Sequence, residues 1–284
     1  MNGLMLIVVI LGVAIQQIVT KIYNEKVKGG VFAFSAAGAF FAMIFFVLTA
    51  TEKLNFNFEF LWYSVLFAVG FSMALGFSVM AIKTGSLSLS NMIMQTSLIV
   101  PALYGIIVLG ENIKATMIIG IVILLMALVL VNYEGKTEKK QITLKWLLFV
   151  FLSFIGNGAC STIQKVQQIG FNGMYKNEFM IAALVLTVII LLVLSFFTER
   201  DKMVKSFKRG APMYIVYGLA NGLVNLFVIL LALRMPSSIM FPIISAGGTV
   251  AVSAVSIFVY KEKLAVTQKA GIILGIVSII LLNI

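Results

Sequence analysis

The stretch "LGENIKATMIIG" at residues 109–120 interrupts a long apolar run with a glutamate and a lysine, and "YKEKLAVTQKAG" at residues 260–271 does the same in the second half of the chain. Glu111 and Glu262 are 151 positions apart. The same offset pairs Ala81 with Ala232, Lys83 with Arg234, Ser86 with Ser237, Thr116 with Thr267, Gly120 with Gly271 and Asn132 with Asn283. A shared ungapped frame indicates an internal repeat, and a repeat determines the architecture.

The composition is that of a membrane protein. Hydrophobic residues make up 61% of the 284 residues, charged residues only 11%, and mean hydropathy is +1.11. About ten apolar runs are long enough to cross a hydrocarbon core of ~30 Å as helices. They lie at 3–22, 31–50, 60–82, 86–109, 114–132, 146–164, 177–197, 212–233, 237–259 and 265–284. We number these predicted spans one to ten.

The repeat divides the ten spans into two sets of five. Residues 1–132 form the first repeat, the polar stretch 133–145 links the two, and residues 146–284 form the second repeat. The first spans of the two repeats also correspond, with Gly12 aligned to Gly156 and Lys21 to Lys165. Since five is odd, the second repeat enters the membrane inverted. The sequence thus predicts an all-α polytopic membrane protein of ten transmembrane helices, built as two inverted five-helix repeats, which is a plan of many secondary transporters.

Three stretches carry a resemblance to a known family. They are "AIKTGSLSLSN" at the end of span three, "VLGENIKATMIIGIVILLMALVLVN" closing the first repeat and "VYKEKLAVTQKAGIILGIVSIILLN" closing the second. With ten helices in two halves, the chain resembles the drug/metabolite transporter superfamily, EamA-like branch, over its whole length. The resemblance implies alternating-access transport of small organic solutes, with spans five and ten packed peripherally. It also makes Glu111 and Glu262 structural turn residues, since carboxylates at helix ends usually cap or pair.

Polar residues in the spans are the candidates for a substrate site, because they usually face a bundle interior or a cavity. At ~100° per residue, several fall on common helix faces. The candidates are Gln16 and Gln17 on span one, Asn91 and Gln95 on span four, Asn157, Ser161 and Gln164 on span six, and Tyr214, Tyr217, Asn221 and Asn225 on span eight. The competing interpretation is that these groups only hydrogen-bond one helix to another. We favour that interpretation for Ser245, Thr249, Ser253 and Ser256 on span nine.

The charges that are missing indicate the kind of substrate. No Asp or Glu lies deep in any span, and the first span reads "VVILGVAIQQIVTK" where small multidrug-resistance relatives use an embedded glutamate. This departure argues against cation–proton antiport by that mechanism and favours a neutral or zwitterionic polar substrate. A cation or anion exporter of the same fold is the alternative. Four basic residues lie at helix ends: Lys21, Lys165, Lys83 and Arg234. They are expected to extend to the lipid headgroups. The alternative is that one pair, Lys21 with Lys165 or Lys83 with Arg234, binds an anionic substrate.

Other functional classes find little support in the sequence. The chain has no histidine and a single cysteine, so serine–histidine catalysis and a paired-cysteine site are excluded. The net charge of +11 is scattered over short loops, where it sets membrane orientation rather than binding nucleic acid. A membrane-embedded enzyme is the least favoured reading. A non-transporting partner such as a flippase subunit stays open, although the repeat places both halves in one chain. We expect no cofactor and no bound metal.

The orientation in the membrane is left open by two conflicting indications. Of the 21 Lys and Arg residues, 16 fall on the side of loops 1–2, 3–4, 5–6, 7–8 and 9–10, and five on the other side. The positive-inside rule then places both termini outside the cytoplasm, whereas the family resemblance implies both inside. We expect a multi-pass protein of the plasma (inner) membrane that contacts lipids and a small-molecule substrate. H+ or Na+ is the candidate coupling ion, and a monomer is favoured over a dimer.

Overall fold

The structure, a computed structural model, describes residues 2–50, 53–56, 58–84, 90, 93–112, 114–131, 143–258, 261 and 265–283. Within these ranges the chain is mostly helical and forms no strand, so the predicted all-α class is confirmed. The helices are α1 (Asn2–Lys26), α2 (Val31–Leu48), α3 (Phe58–Thr84), α4 (Ile99–Ile107, preceded by a 3₁₀ turn at Thr96–Leu98), α5 (Ala115–Val131), α6 (Leu144–Gly170), α7 (Lys176–Thr198), α8 (Arg200–Arg209), α9 (Ala211–Ala232), α10 (Ser237–Phe258) and α11 (Val266–Asn283).

Each apolar run in the sequence falls on one of these helices, and α8 is additional. Seven helices in the described part of the chain are long and apolar enough to cross a membrane: α1, α2, α3, α6, α7, α9 and α10. Three further apolar helices are shorter: Ile93–Ile107, which contains α4, Ala115–Val131 and Val266–Leu282. The molecule therefore has the helices of a polytopic membrane protein, as its composition predicts.

The chain folds into two compact units that do not follow the sequence halves. Unit 1 contains Met1–Ser72 and Ile163–Arg234, and unit 2 contains Met73–Thr162 and Met235–Ile284. Each unit therefore contains residues of both predicted repeats. Helix α3 passes from unit 1 to unit 2 after Ser72, and α6 passes from unit 2 to unit 1 after Thr162.

Unit 1 is organised around α9, which packs against both α1 and α2, while α2 also packs against α7. The contact with α1 is close because Gly12 lies against Val224, where a Cβ on Gly12 would be only 2.5 Å from the Val224 Cγ2 atom. The contact with α2 is equally close, since a Cβ on Gly218 would be 2.4 Å from the Gly38 carbonyl oxygen. Small residues thus let three helices approach to backbone contact, as is usual in membrane bundles.

Unit 2 is held together by α11, which packs along α5 and also against α10. Gly271 lies so close to α5 that a Cβ there would be 2.7 Å from the Val131 backbone nitrogen. One hydrogen bond also joins these helices, from the Ser278 hydroxyl to the Gly120 carbonyl oxygen at 2.8 Å. The two glycines paired by the sequence repeat, Gly120 and Gly271, therefore both serve the same helix–helix contact.

Glu111 begins the polar break after α4 and caps the first turn of α10. Its Oε1 accepts the backbone N–H of Ser237 at 2.7 Å, and its Oε2 accepts the backbone N–H and the hydroxyl of Ser238 at 2.9 and 2.7 Å. A carboxylate at a helix N-terminus satisfies donors that lack partners within the helix and complements the helix dipole. The expected structural role of Glu111 is confirmed; Glu262 lies outside the described residues.

Candidate functional site

Four of the predicted site residues form one continuous chain of side-chain amides in unit 1. The Asn221 Nδ2 donates to the Gln16 Oε1 at 3.0 Å, and the Asn225 Nδ2 donates to the Asn221 Oδ1 at 3.0 Å. The Gln164 Nε2 donates in turn to the Asn225 Oδ1 at 2.6 Å. The structure thereby brings together residues of spans one, six and eight that the sequence could only assign separately to helix faces.

The positions of these amides follow from the local sequence. Asn221 and Asn225 are four residues apart on α9, so their side chains are neighbours on one face, and the Asn225 Nδ2 also donates to the Asn221 carbonyl oxygen at 2.8 Å. Gln16 lies one turn beyond Gly12, the residue that allows α1 to approach α9 at Val224. The close helix contact therefore brings the Gln16 amide within hydrogen-bonding distance of Asn221.

Three of the four amides, those of Gln16, Asn221 and Asn225, lie near the middle of their helices, whereas Gln164 lies in the last two turns of α6. The two amides on α9 face away from the most exposed apolar stripe of that helix. That stripe contains Val216 and Leu219, which are 46% and 44% exposed. Gln164 is only 4% exposed, whereas Gln16, Asn221 and Asn225 are half-buried. Three amides thus keep accessible surface at a depth where contact with hydrocarbon would be costly. That combination suits a polar recess better than a sealed helix contact.

Tyr214 and Tyr217, the two tyrosines on the face of α9 that contains Asn221 and Asn225, make different contacts. The Tyr217 ring packs on Gly38 of α2 and lies 5.2 Å, centroid to centroid, from the Phe34 ring. The Tyr214 ring stacks on Phe41 at 5.8 Å, and its hydroxyl donates to the Phe207 carbonyl oxygen at 3.2 Å. Both tyrosines are half-buried and extend that face from the amide chain towards α8. Gln17, the remaining candidate in unit 1, is exposed on α1.

The last turns of α6 contain a buried polar cluster, of which only Gln164 and Lys165 were predicted from the sequence to have a role. Within "QKVQQ" at 164–168, Lys165, Gln167 and Gln168 are 5%, 0% and 2% exposed. The Gln168 amide donates to the Gln167 Oε1, and the Gln167 Nε2 donates to the Met174 carbonyl oxygen at 3.3 Å. Three glutamines within five residues were the sequence feature that could have indicated this cluster. The pattern of apolar residues does not distinguish such a buried cluster from the exposed polar end of a helix.

Lys165 requires a correction. The expectation that it reaches the headgroups is wrong, because its side chain is buried and its Nζ donates to the carbonyl oxygen of Ala232, the last residue of α9. A cation at a helix C-terminus satisfies a terminal carbonyl and complements the negative end of the dipole. Lys83 and Arg234, by contrast, are exposed as expected.

The remaining candidates belong to unit 2. The Asn157 Nδ2 donates to the Ser97 Oγ, inside the 3₁₀ turn that precedes α4, and Ser161 is half-buried one turn further along α6. Gln95, also half-buried, accepts the Ser245 hydroxyl at its carbonyl oxygen at 3.4 Å. Asn91 lies outside the described residues.

The polar face of span nine forms helix contacts in unit 2. The Ser245 hydroxyl reaches the Gln95 backbone on the neighbouring segment, and the Thr249 hydroxyl donates to the Ser245 carbonyl oxygen at 2.9 Å. Ser253 is buried, at 8% exposed. These contacts agree with the interpretation that small hydroxyl groups join helices here; the side chain of Ser256 is outside the description.

In the described ranges, no three His, Cys, Asp or Glu side chains lie close enough together to hold a metal ion. Cys160, the single cysteine of the sequence, is buried.

Comparison with known proteins gives information on the fold alone. No model of a known protein family matches the chain, and no curated protein matches it. The chain is similar to a solved structure described only as "Crystal structure of protein", with a TM-score of 0.79 and 10% sequence identity over 99% of this chain and 98% of that chain. At that identity the similarity concerns the fold alone, and it extends over essentially the whole of both chains.

Proposed function

We propose that this protein is a secondary transporter that moves a small, polar, neutral or zwitterionic organic solute across the membrane by alternating access. In this proposal it is an EamA-like member of the drug/metabolite transporter superfamily, with ten helices in two inverted repeats. Three observations support it: apolar helices of membrane-spanning length, the sequence pairs that share an offset of 151 residues, and the hydrogen-bonded polar side chains of Gln16 and Asn221 near the middle of their helices.

The amide chain of Gln16, Asn221, Asn225 and Gln164 carries the proposal. Each carboxamide has two donor hydrogens and an acceptor oxygen, so four of them offer more hydrogen-bonding capacity than their mutual contacts use. Hydroxyl, amide, ammonium or carboxylate groups of a solute are all able to bond to such a surface. The partial exposure of Gln16, Asn221 and Asn225 leaves that surface accessible.

The chemistry of the chain also favours a substrate without net charge. A charged solute in a low-dielectric recess needs an opposite charge, because its desolvation otherwise costs several kcal/mol. Amides alone do not supply this charge, whereas they pair well with neutral groups and with the two compensating charges of a zwitterion. Lys165, the buried cation nearest in sequence to Gln164, donates to the end of α9.

A thermal-shift screen of the detergent-purified protein tests the proposal. The panel contains neutral, zwitterionic, cationic and anionic metabolites at several pH values, with and without Na+. A ligand at a hundred times its Kd adds about 2.7 kcal/mol to the stability of the folded state. We expect stabilisation by neutral or zwitterionic solutes and its loss in Asn225→Leu. Hits confined to cations or to anions would contradict the substrate class, and a hit that Asn225→Leu retains would exclude the amide chain as the site.

A further inference from the structure

The helix that the apolar pattern missed, α8, is a short basic segment at one end of unit 1. It is joined to α7 and α9 by the single residues Glu199 and Gly210, so its position is fixed by both neighbours. Its sequence, "RDKMVKSFKR", contains five basic residues and one acidic residue. Ser206 is fully buried, Met203 and Phe207 are half-buried, and all five basic side chains are exposed.

Four of the five basic residues of α8 occupy one face, which they share with Asp201. At ~100° per residue, Lys202, Lys205, Lys208 and Arg209 fall within about a third of the helix circumference, opposite the side of Met203 and Phe207. The inner side is attached firmly to the bundle. The Ser206 Oγ accepts the backbone N–H of Gly30 at 2.7 Å and lies 2.7 Å from the Tyr23 hydroxyl. The helix therefore presents a fixed, outward-facing array of cations.

The neighbouring end of α7 indicates where this array lies relative to the lipid. Phe196 and Phe197 are 49% and 78% exposed, in the last turn of an apolar helix, and the Arg200 guanidinium lies over the Phe196 ring, 5.1 Å from its centroid. The chain changes within three residues from exposed apolar rings to the charged sequence that begins at Glu199. Because charged side chains are costly in hydrocarbon, this change marks the boundary between hydrocarbon and headgroups. Arg200, which begins α8, is thus placed at the level of the headgroups.

The net positive charge at the end of unit 1 that contains α8 is larger than that at the opposite end. Ser206 bonds to Gly30 in the turn after α1, and Glu199 accepts the backbone N–H of Phe32 at the start of α2 at 3.0 Å. The basic residues of that turn therefore lie at the same end. This end contains Lys21, Lys26, Lys28, Arg200, Lys202, Lys205, Lys208 and Arg209, with Glu25, Glu199 and Asp201. The described residues of the other end contain Lys53, Lys165, Lys176 and Arg234, with Glu59 and Glu178.

We propose that the exposed basic face of α8 is a binding site for the headgroups of anionic phospholipids, and that it holds this end of unit 1 at the anionic surface of the membrane. Lipid phosphates supply the complementary charge, and basic residues close to an anionic membrane surface attract it strongly. The site is independent of the transported solute and would exist whatever the protein carries.

The experiment measures the apparent melting temperature of the detergent-purified full chain during titration with phosphatidylglycerol or with zwitterionic phosphatidylcholine. The test variant is K202Q/K205Q/K208Q, and the matched control is K53Q/K176Q/R234Q, which removes three positive charges from the opposite end. We expect phosphatidylglycerol to stabilise the wild type and the control equally. In the test variant the half-saturating lipid concentration rises by about fivefold for each charge removed.

Further measurements distinguish lipid headgroups from free phosphate esters, and a loss of lipid binding from a loss of folding. Glycerol phosphate at the same concentration is expected to give no stabilisation, and raising the ionic strength from ~0.01 M to ~1 M is expected to abolish the lipid effect, since the Debye length falls from ~30 Å to ~3 Å. The variant K202R/K205R/K208R keeps the charges and is expected to behave as the wild type. Equal stabilisation by the two lipids, an unchanged titration in K202Q/K205Q/K208Q, or an equal effect of glycerol phosphate would each overturn the proposal.

Discussion

The carboxylate of Glu111 accepts the backbone N–H of Ser237 across 126 residues of sequence, at 2.7 Å. Glu111 stands in the polar break of the first repeat, and Ser237 begins α10 in the second. The polar break that precedes the last span of the first predicted repeat thus also caps the start of a helix in the second. Within unit 2, this contact joins the two halves of the chain.

Removing the Glu111 cap should destabilise the protein without affecting solute recognition. In Glu111→Ala, the first two N–H groups of α10 and the Ser238 hydroxyl lose their acceptor, and we expect a loss of about 1–2 kcal/mol. Thermal unfolding in detergent measures the effect, with Glu25→Ala, an exposed acidic residue of unit 1, as the control. Equal melting temperatures for the two variants would mean that the cap contributes nothing.

The amide chain should be necessary for substrate binding and dispensable for folding. We expect Asn221→Leu and Asn225→Leu each to abolish the thermal shift given by the substrate, because each removes the donors and acceptor at the centre of the chain. Size-exclusion profile and far-UV circular dichroism should be unchanged. Thr187→Val is the matched control, since its hydroxyl bonds only to the Ala183 carbonyl oxygen of its own helix in the contacts seen here. Normal substrate binding by both asparagine variants would remove α9 from the site.

The contact between α5 and α11 should tolerate no side chain at Gly271. A Cβ there meets the Val131 backbone nitrogen at 2.7 Å and the Ala127 carbonyl oxygen at 2.8 Å, so Gly271→Leu must push two backbones apart. We expect a loss of about 3 kcal/mol or more, in the range of severe overpacking. The control is Gly76→Leu, because a Cβ on Gly76 meets nothing within 4 Å. Similar expression and melting temperature for the two variants would contradict this packing.

Ser206 should be the main attachment of α8 to the bundle. Ser206→Ala leaves the Gly30 N–H without its acceptor in a buried position and removes the contact with the Tyr23 hydroxyl. We expect a cost of about 1–3 kcal/mol, the usual penalty for an unsatisfied buried polar group. Hydrogen exchange of the α8 amides provides a local readout and should accelerate. Unaltered exchange would show that Glu199 and Gly210 alone fix the helix.

The charge distribution predicts which end of unit 1 faces the cytoplasm. Asn24 lies at the strongly basic end and Lys53 at the other, and both are exposed, while the native Cys160 is buried. By the positive-inside rule, Lys53 faces the outside. Lys53→Cys should therefore react with a membrane-impermeant maleimide on cells that have lost the cell wall or outer membrane but keep an intact plasma (inner) membrane. Asn24→Cys should react only after the membrane is permeabilised. The reverse pattern would support the orientation that the family resemblance implies.

The sequence predicted the helices well because the membrane imposes a simple rule. A span needs about twenty apolar residues. In the described residues each of the ten apolar runs overlaps a helix, and seven of these helices are of membrane-spanning length. Helix α8 was missed for the same reason, since it is polar and short. Its sequence was interpreted only as an orientation signal, which reports charge and says nothing about backbone conformation.

The site was predicted residue by residue but not as a contact network. Helical periodicity placed Asn221 beside Asn225, because both belong to one helix. It could not show that Gln16 meets Asn221, since that contact depends on how closely α1 approaches α9 at Gly12. The same limit applies to Lys165: its position near a helix end was evident, but its acceptor on Ala232 belongs to another helix.

The division of the chain between the two units has a consequence for biogenesis. Gln16 and its partner Asn221 are 205 residues apart, and synthesis proceeds at ~5–20 residues per second, so Gln16 leaves the ribosome roughly 10–40 s before its partner exists. Neither unit is complete when the first half of the chain has been translated, because both contain residues beyond 160. The hydrogen bond between Gln16 and Asn221, like every contact between the first and second halves of the chain, therefore forms only after the second half has been synthesised.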